Sequence, residues 1–116
     1  MTIKLVMLKS GEDIITDLQE IKSEDEVIGY YFDNPRIVKM YEPKEPTLLS
    51  EDGANKEYES RFNVRFYPWI PLSKDRKIPC SADWVITIVD PLDKLKEQYQ
   101  VKLVNTKNDK NSTADN

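Results

Sequence analysis

The chain has no histidine, a single cysteine and only three glycines among its 116 residues. Without histidine there can be no Ser–His or Cys–His nucleophile pair, and the usual zinc sites lose their imidazole ligands. Cys80 cannot close an internal disulfide, which agrees with a reducing compartment. A buried, inert thiol is the simpler reading of Cys80 than a nucleophile without a base. Scarce glycine beside seven prolines suits short strands ended by proline better than long helices. No apolar run approaches the roughly 20 residues that span a bilayer, so no membrane association is expected. Met1-Thr2-Ile3-Lys4 does not open a signal-peptide core, so the expected setting is cytoplasmic.

Positive charge is also in short supply. Seventeen basic against twenty-one acidic residues leave a net charge of −4, which argues against the basic stripe of a duplex DNA binder. Basic residues gather only locally, at Lys74, Arg76 and Lys77, and at Arg61 and Arg65 on one expected strand. Adjacent acids such as Glu12 with Asp13, or Glu24 with Asp25, read as solvated turn charge rather than as a general acid–base pair. With no Gly-rich phosphate loop and no metal-ligand spacing, no catalytic residue, metal or cofactor is expected, and an enzyme is not the favoured reading.

What remains is a strand pattern in a chain of single-domain size. Residues 3–9 are apolar and end at Ser10-Gly11-Glu12, a turn in which Gly11 can take positive φ. Residues 13–21 return as the second strand of a hairpin, and the misplaced Ile21 hints at a bulge or bend. Residues 22–26 form a charged loop. Residues 27–32 are a strand closed by the turn signal Asp33-Asn34-Pro35, and residues 36–41 are the next strand. The polar stretch at about 43–60 reads as a long variable loop. Residues 61–70 alternate cleanly, with Phe62, Val64 and Phe66 on one side. Residues 84–89 are apolar on both faces, as in a strand that is covered twice or pairs with another chain.

Asp90 and Pro91 suit a helix start, and Leu92, Leu95, Tyr99 and Leu103 make one apolar stripe, so a helix is expected at about 91–103. Residues 105–116 read as a polar, disordered tail. The expected architecture is mainly β: a small, strongly bent five-stranded barrel with one C-terminal helix, all within residues 1–104.

The stretch from Val6 to Ile21 resembles the first motif of Sm and Sm-like (LSm) proteins, with Leu8, Gly11, Ile14, Leu18 and Ile21 in the matching positions. Ile78-Pro79-Cys80-Ser81, followed by residues 84–89, falls where the second motif and closing strand would lie. The likeness covers roughly residues 3–90, and within the family it is greatest to small Sm-like proteins attributed to marine cyanophages. The resemblance implies an SH3-like barrel and a homo-oligomeric ring of five to seven subunits (in a host cytoplasm if viral). The fourth strand of one subunit would pair with the fifth of the next, through Phe62, Val64 and Phe66 and through Val85, Thr87 and Val89. It also implies single-stranded RNA as a partner, with Lys22, Tyr30, Tyr31, Arg76 and Lys77 as candidates for stacking and phosphate contact.

Three departures qualify that implication. Residues 22–26 do not carry the aspartate and asparagine that end the first motif in RNA-binding members. Pro79-Cys80 stands in place of the arginine–glycine pair of the second motif. The helix follows the barrel instead of preceding it. An assembly or regulatory scaffold that binds no nucleic acid is therefore the alternative expectation.

Overall fold

The computed structural model describes residues 1–41 and 63–114, with side chains as far as Asn105. The loop expected at about 43–60, and Phe62 with it, lie outside the described residues. Among the described residues six strands form one antiparallel sheet: β1 (Ile3–Leu8), β2 (Asp13–Ser23), β3 (Glu26–Met40), β4 (Val64–Pro68), β5 (Lys77–Ser81) and β6 (Val85–Val89). One C-terminal helix, α1 (Asp93–Ala114), follows. The order across the sheet is β4-β3-β2-β1-β6, and β5 lies beside β4 on the same flank of β3.

The sheet is open rather than a closed barrel, yet it must curl. β5 and β6 lie on opposite flanks, separated by β3, β2 and β1. On a flat sheet those four steps would span about 19 Å at the usual strand spacing. The link between them is the single 3-10 turn Ala82–Trp84, and four Cα steps reach at most about 14 Å. The flanks must therefore swing toward each other. Residues from both meet in one inner cluster: Val6, Leu8, Ile14 and Phe32 are buried, with Cys80 of β5 and Val85 and Ile88 of β6 packed against them. On the outer face, Leu95 and Tyr99 of α1 pack with Ile3 and Ile15, and Val38, Val64 and Phe66 flank this second cluster. Both faces of β2 are thus covered at Ile14 and Ile15, and both residues are fully buried.

The hairpin stands as expected, with Gly11 at φ +91. A register shift beside Ile21 leaves Ile28 of β3 as the extra residue, so the bulge lies in the partner strand and not in β2, where the broken alternation placed it. The next two expectations need correction. The charged loop at 22–26 is only the tight turn Glu24-Asp25, with φ of 54 and 67 between the paired Ser23 and Glu26. Positive φ at both central positions is the hairpin geometry that favours Asn-Gly. Changing Glu24→Asn together with Asp25→Gly is therefore expected to raise the unfolding free energy by about 1 kcal/mol. A denaturant midpoint that is unchanged or lower in the double variant would contradict it.

Asp33-Asn34-Pro35 is not a turn between two strands. β3 runs straight through it as a bulge, with Asn34 at φ 55 and an extra β3 residue between the pairs Ile15–Arg36 and Asp17–Asp33. Two side chains and one carbonyl from elsewhere satisfy the displaced backbone. Thr16 Oγ1 donates to the Asp33 carbonyl at 2.9 Å, Tyr99 Oη donates to the Asn34 carbonyl at 2.7 Å, and the Asn34 N–H donates to the Arg76 carbonyl at 2.8 Å. Joining residues 27–32 to 36–41 removes one of the six expected segments and β5 adds one, so the described residues hold six strands where a five-stranded barrel is expected. β5 escapes a simple pattern because it is five residues long and contains Pro79, which a flanking strand tolerates.

The helix also departs from its expected limits. Asp90 does not cap it but pairs with the ammonium of Lys4, which holds its carboxyl below the ordinary value. Helical structure starts at Asp93 and continues through Ala114. The chain from 105 onward was expected to be disordered because it is polar, but it contains no proline or glycine to interrupt the ladder. Leu95, Tyr99 and Leu103 face the sheet as expected, whereas Leu92 is exposed.

Candidate nucleic-acid interface

β3 and β5 bring part of the expected set together. Antiparallel pairing sets Tyr31 opposite Pro79 and Asp33 opposite Lys77, so these four side chains share one face. Lys77 reaches diagonally to Tyr31, placing its Nζ 4.8 Å from the ring centre, a cation–π contact. Arg76 Nε lies 3.0 Å from Asp33 Oδ1, close enough for strong attraction but not aligned as a hydrogen bond. Tyr31, Arg76 and Lys77 thus form one exposed patch. The other two candidates are elsewhere. Tyr30 points to the inner face and packs on the Phe32 cluster. Lys22 lies near the hairpin tip, beside Glu20 at 3.6 Å.

A second aromatic–cationic cluster escaped sequence reasoning. Tyr41 and Tyr67 share a hydroxyl hydrogen bond of 2.6 Å, and the Arg65 guanidinium stacks 4.7 Å above the Tyr41 ring. Lys39 pairs with Arg65 across the strands. The shared hydrogen bond lowers Tyr67 and raises Tyr41, so the pair releases its first proton more readily than an isolated tyrosine and its second less readily. Alternation of Arg65 with Tyr67 was visible in the sequence. The β3–β4 register that sets them against Lys39 and Tyr41 was not.

Of the residues expected at a subunit interface, Val64 and Phe66 pack toward α1 of the same chain. Val85 joins the inner cluster, while Thr87 and Val89 are exposed. Ile86, which the sequence did not single out, is the most exposed residue of large apolar type on β6, at 58%. Cys80 is half-buried, and burial pushes its thiol upward, so it is a poor thiolate nucleophile. Among the described residues no group of acidic, histidine or cysteine side chains could hold a metal ion. No helix among them is long and apolar enough to cross a membrane.

Comparison with protein-family models gives no match, and comparison with curated proteins gives none either. The functional reading therefore rests on this chain's own residues.

Proposed function

We propose that the chain is an Sm-like module that assembles edge to edge into a ring of five to seven copies and binds single-stranded RNA. The observation that carries the reading is the pair of strand edges on one curled sheet. Among the described residues β6 pairs only with β1, and β4 only with β3. The sequence of β6, Val-Ile-Thr-Ile-Val, carries neither a charge nor a proline, the devices that normally blunt an edge. Ile86, Val89 and the neighbouring Trp84 are exposed there. On the other flank Tyr67 and Met40 are exposed. On the resemblance to Sm-like domains, these flanks would be the two that close the ring. The Tyr31–Arg76–Lys77 patch supplies a stacking ring and two cations for RNA.

A scaffold that binds no nucleic acid is the second reading. It is favoured by the acids beside two of the cations, Glu20 at Lys22 and Asp33 at Arg76. Mass measurement in solution addresses assembly, with five to seven chain masses expected for the native protein. Ile86→Lys is expected to give a folded monomer, because Ile86 contributes little to the core of its own chain. A native protein that runs as a monomer sinks the ring. RNA is tested separately, by titrating a labelled uridine oligomer at low salt into the assembled protein. No binding there leaves the scaffold.

A further inference from the structure

Between the β3 bulge and the loop at 69–76 lies a groove of about 190 Å³. One wall is the stretch Asn34-Pro35-Arg36. The other is the loop from Trp69 to Arg76. Pro68 ends β4 and Pro71 follows within the loop, so the chain leaves β3 here and returns to it only at β5. The volume is below the roughly 300–1,000 Å³ of a site that engulfs a drug-sized ligand. It suits a small group presented by something larger.

The charge of the lining is opposite to that of the protein. Arg36, Lys74 and Arg76 contribute three cations against the single lining acid Asp75, with Asp33 at 3.0 Å from Arg76 just outside the lining, whereas the whole chain carries −4. The Arg36 Nε is buried and has no hydrogen-bond partner among the described residues. An atom so enclosed does not itself meet a ligand, so Arg36 serves the groove through the positive charge of its guanidinium. Trp69 is held in place by its ring contact with Phe32, at 5.2 Å between centres, and by its indole N–H donating to Glu12 Oε1 at 3.3 Å. It therefore offers a fixed wall rather than a mobile side chain.

We propose that this groove takes a backbone phosphate of single-stranded nucleic acid, with Lys74 and Arg76 as its donors and Arg36 as a further positive charge. The proposal rests on the nucleic-acid reading above and deepens it. Arg76 belongs both to the groove and to the patch around Tyr31, so a strand with one phosphate in the groove would lead a neighbouring base toward that ring. Phosphate contact gives the position and stacking tolerates any base.

The test uses the full chain, labelled with nitrogen-15, and a uridine hexamer at low salt. Trp69 lines the groove and Trp84 does not, so the two indole N–H signals separate groove binding from binding at the β6 edge. The hexamer is expected to move the signals of Trp69 and of the Arg36 Nε–H, leaving Trp84 in place. Lys74→Gln, at an exposed position, is expected to weaken binding about tenfold, and Asp75→Asn to tighten it several-fold. Adding Arg76→Gln should flatten the salt dependence by roughly one further phosphate contact. Binding that moves Tyr31 and Lys77 but not Trp69 overturns the groove and spares the RNA reading. No binding of the hexamer overturns both. A response to inorganic phosphate without any to the hexamer overturns nucleic acid as the occupant.

Discussion

Replacing Tyr99 by alanine is expected to lower the unfolding free energy by about 3–5 kcal/mol, the usual cost of removing a buried aromatic ring. Tyr99 is fully buried and joins α1 to Ile3, Ile15 and Phe66. Its hydroxyl also serves the bulge carbonyl of Asn34. Tyr99→Phe keeps the ring and removes only that donor, and is expected to cost about 1–2 kcal/mol. Chemical denaturation of both variants separates packing from the hydrogen bond. If Tyr99→Phe left the stability unchanged, the hydroxyl would not be holding the bulge.

The same residue sets an alkaline limit. Burial is the main reason that the Tyr99 hydroxyl titrates well above its ordinary value near 10. Above that value an unfolded chain releases the proton and the folded one keeps it. The contribution is therefore complete below about pH 10 and declines as pH rises further, by at most about 1.4 kcal/mol per unit. Tyr99→Phe should be less stable at neutral pH but show a shallower decline above pH 10. Parallel alkaline limbs would rule out this origin.

Gly29→Ala is the second substitution with a large expected effect. A Cβ at Gly29 would stand 2.8 Å from the backbone carbonyl oxygen of Cys80. Backbone cannot rotate away as a side chain would, so β5 must move off β3. The expected cost is about 1–3 kcal/mol, larger than the roughly 0.4–1 kcal/mol that alanine gains by restricting the unfolded chain. Thermal unfolding of the variant should show the loss as several degrees. An unchanged transition would mean that β5 is not tightly seated. Because β5 leads directly into the turn before β6, the variant should also loosen the pairing of β6 with β1.

Features set by neighbouring residues were the readable ones. The first hairpin, the glycine at its turn and the stripe Leu95–Tyr99–Leu103 all follow from local spacing. Features set by distant partners were misread. Asp33-Asn34-Pro35 has the chemistry of a turn, and only Thr16, Tyr99 and Arg76 turn it into a bulge. Asp90 has the chemistry of a cap, and Lys4 draws it away. The candidate site divides in the same manner. Lys77 and Arg76 were visible as a basic pair, and Tyr31 as an aromatic. Their meeting depends on β5 lying along β3, which the short, proline-containing segment concealed. Arg36 had no distinguishing signal, since its position in the groove follows from the bulge that precedes it.

The pairing of β1 with β6 has a consequence during synthesis. β1 is the first of the six strands to leave the ribosome, and its second neighbour is the last strand of the sheet. Until residues 85–89 emerge, Val6 and Leu8 lack the cover of β6, and one side of β1 presents unsatisfied backbone groups. The hairpin of β1 and β2 can form early, but the curled sheet cannot be completed cotranslationally from its first half. Contacts so distant in sequence also make for slow folding. The nascent chain therefore spends most of its synthesis with an open apolar edge, the state in which an encounter with a second nascent copy carries the greatest risk of aggregation.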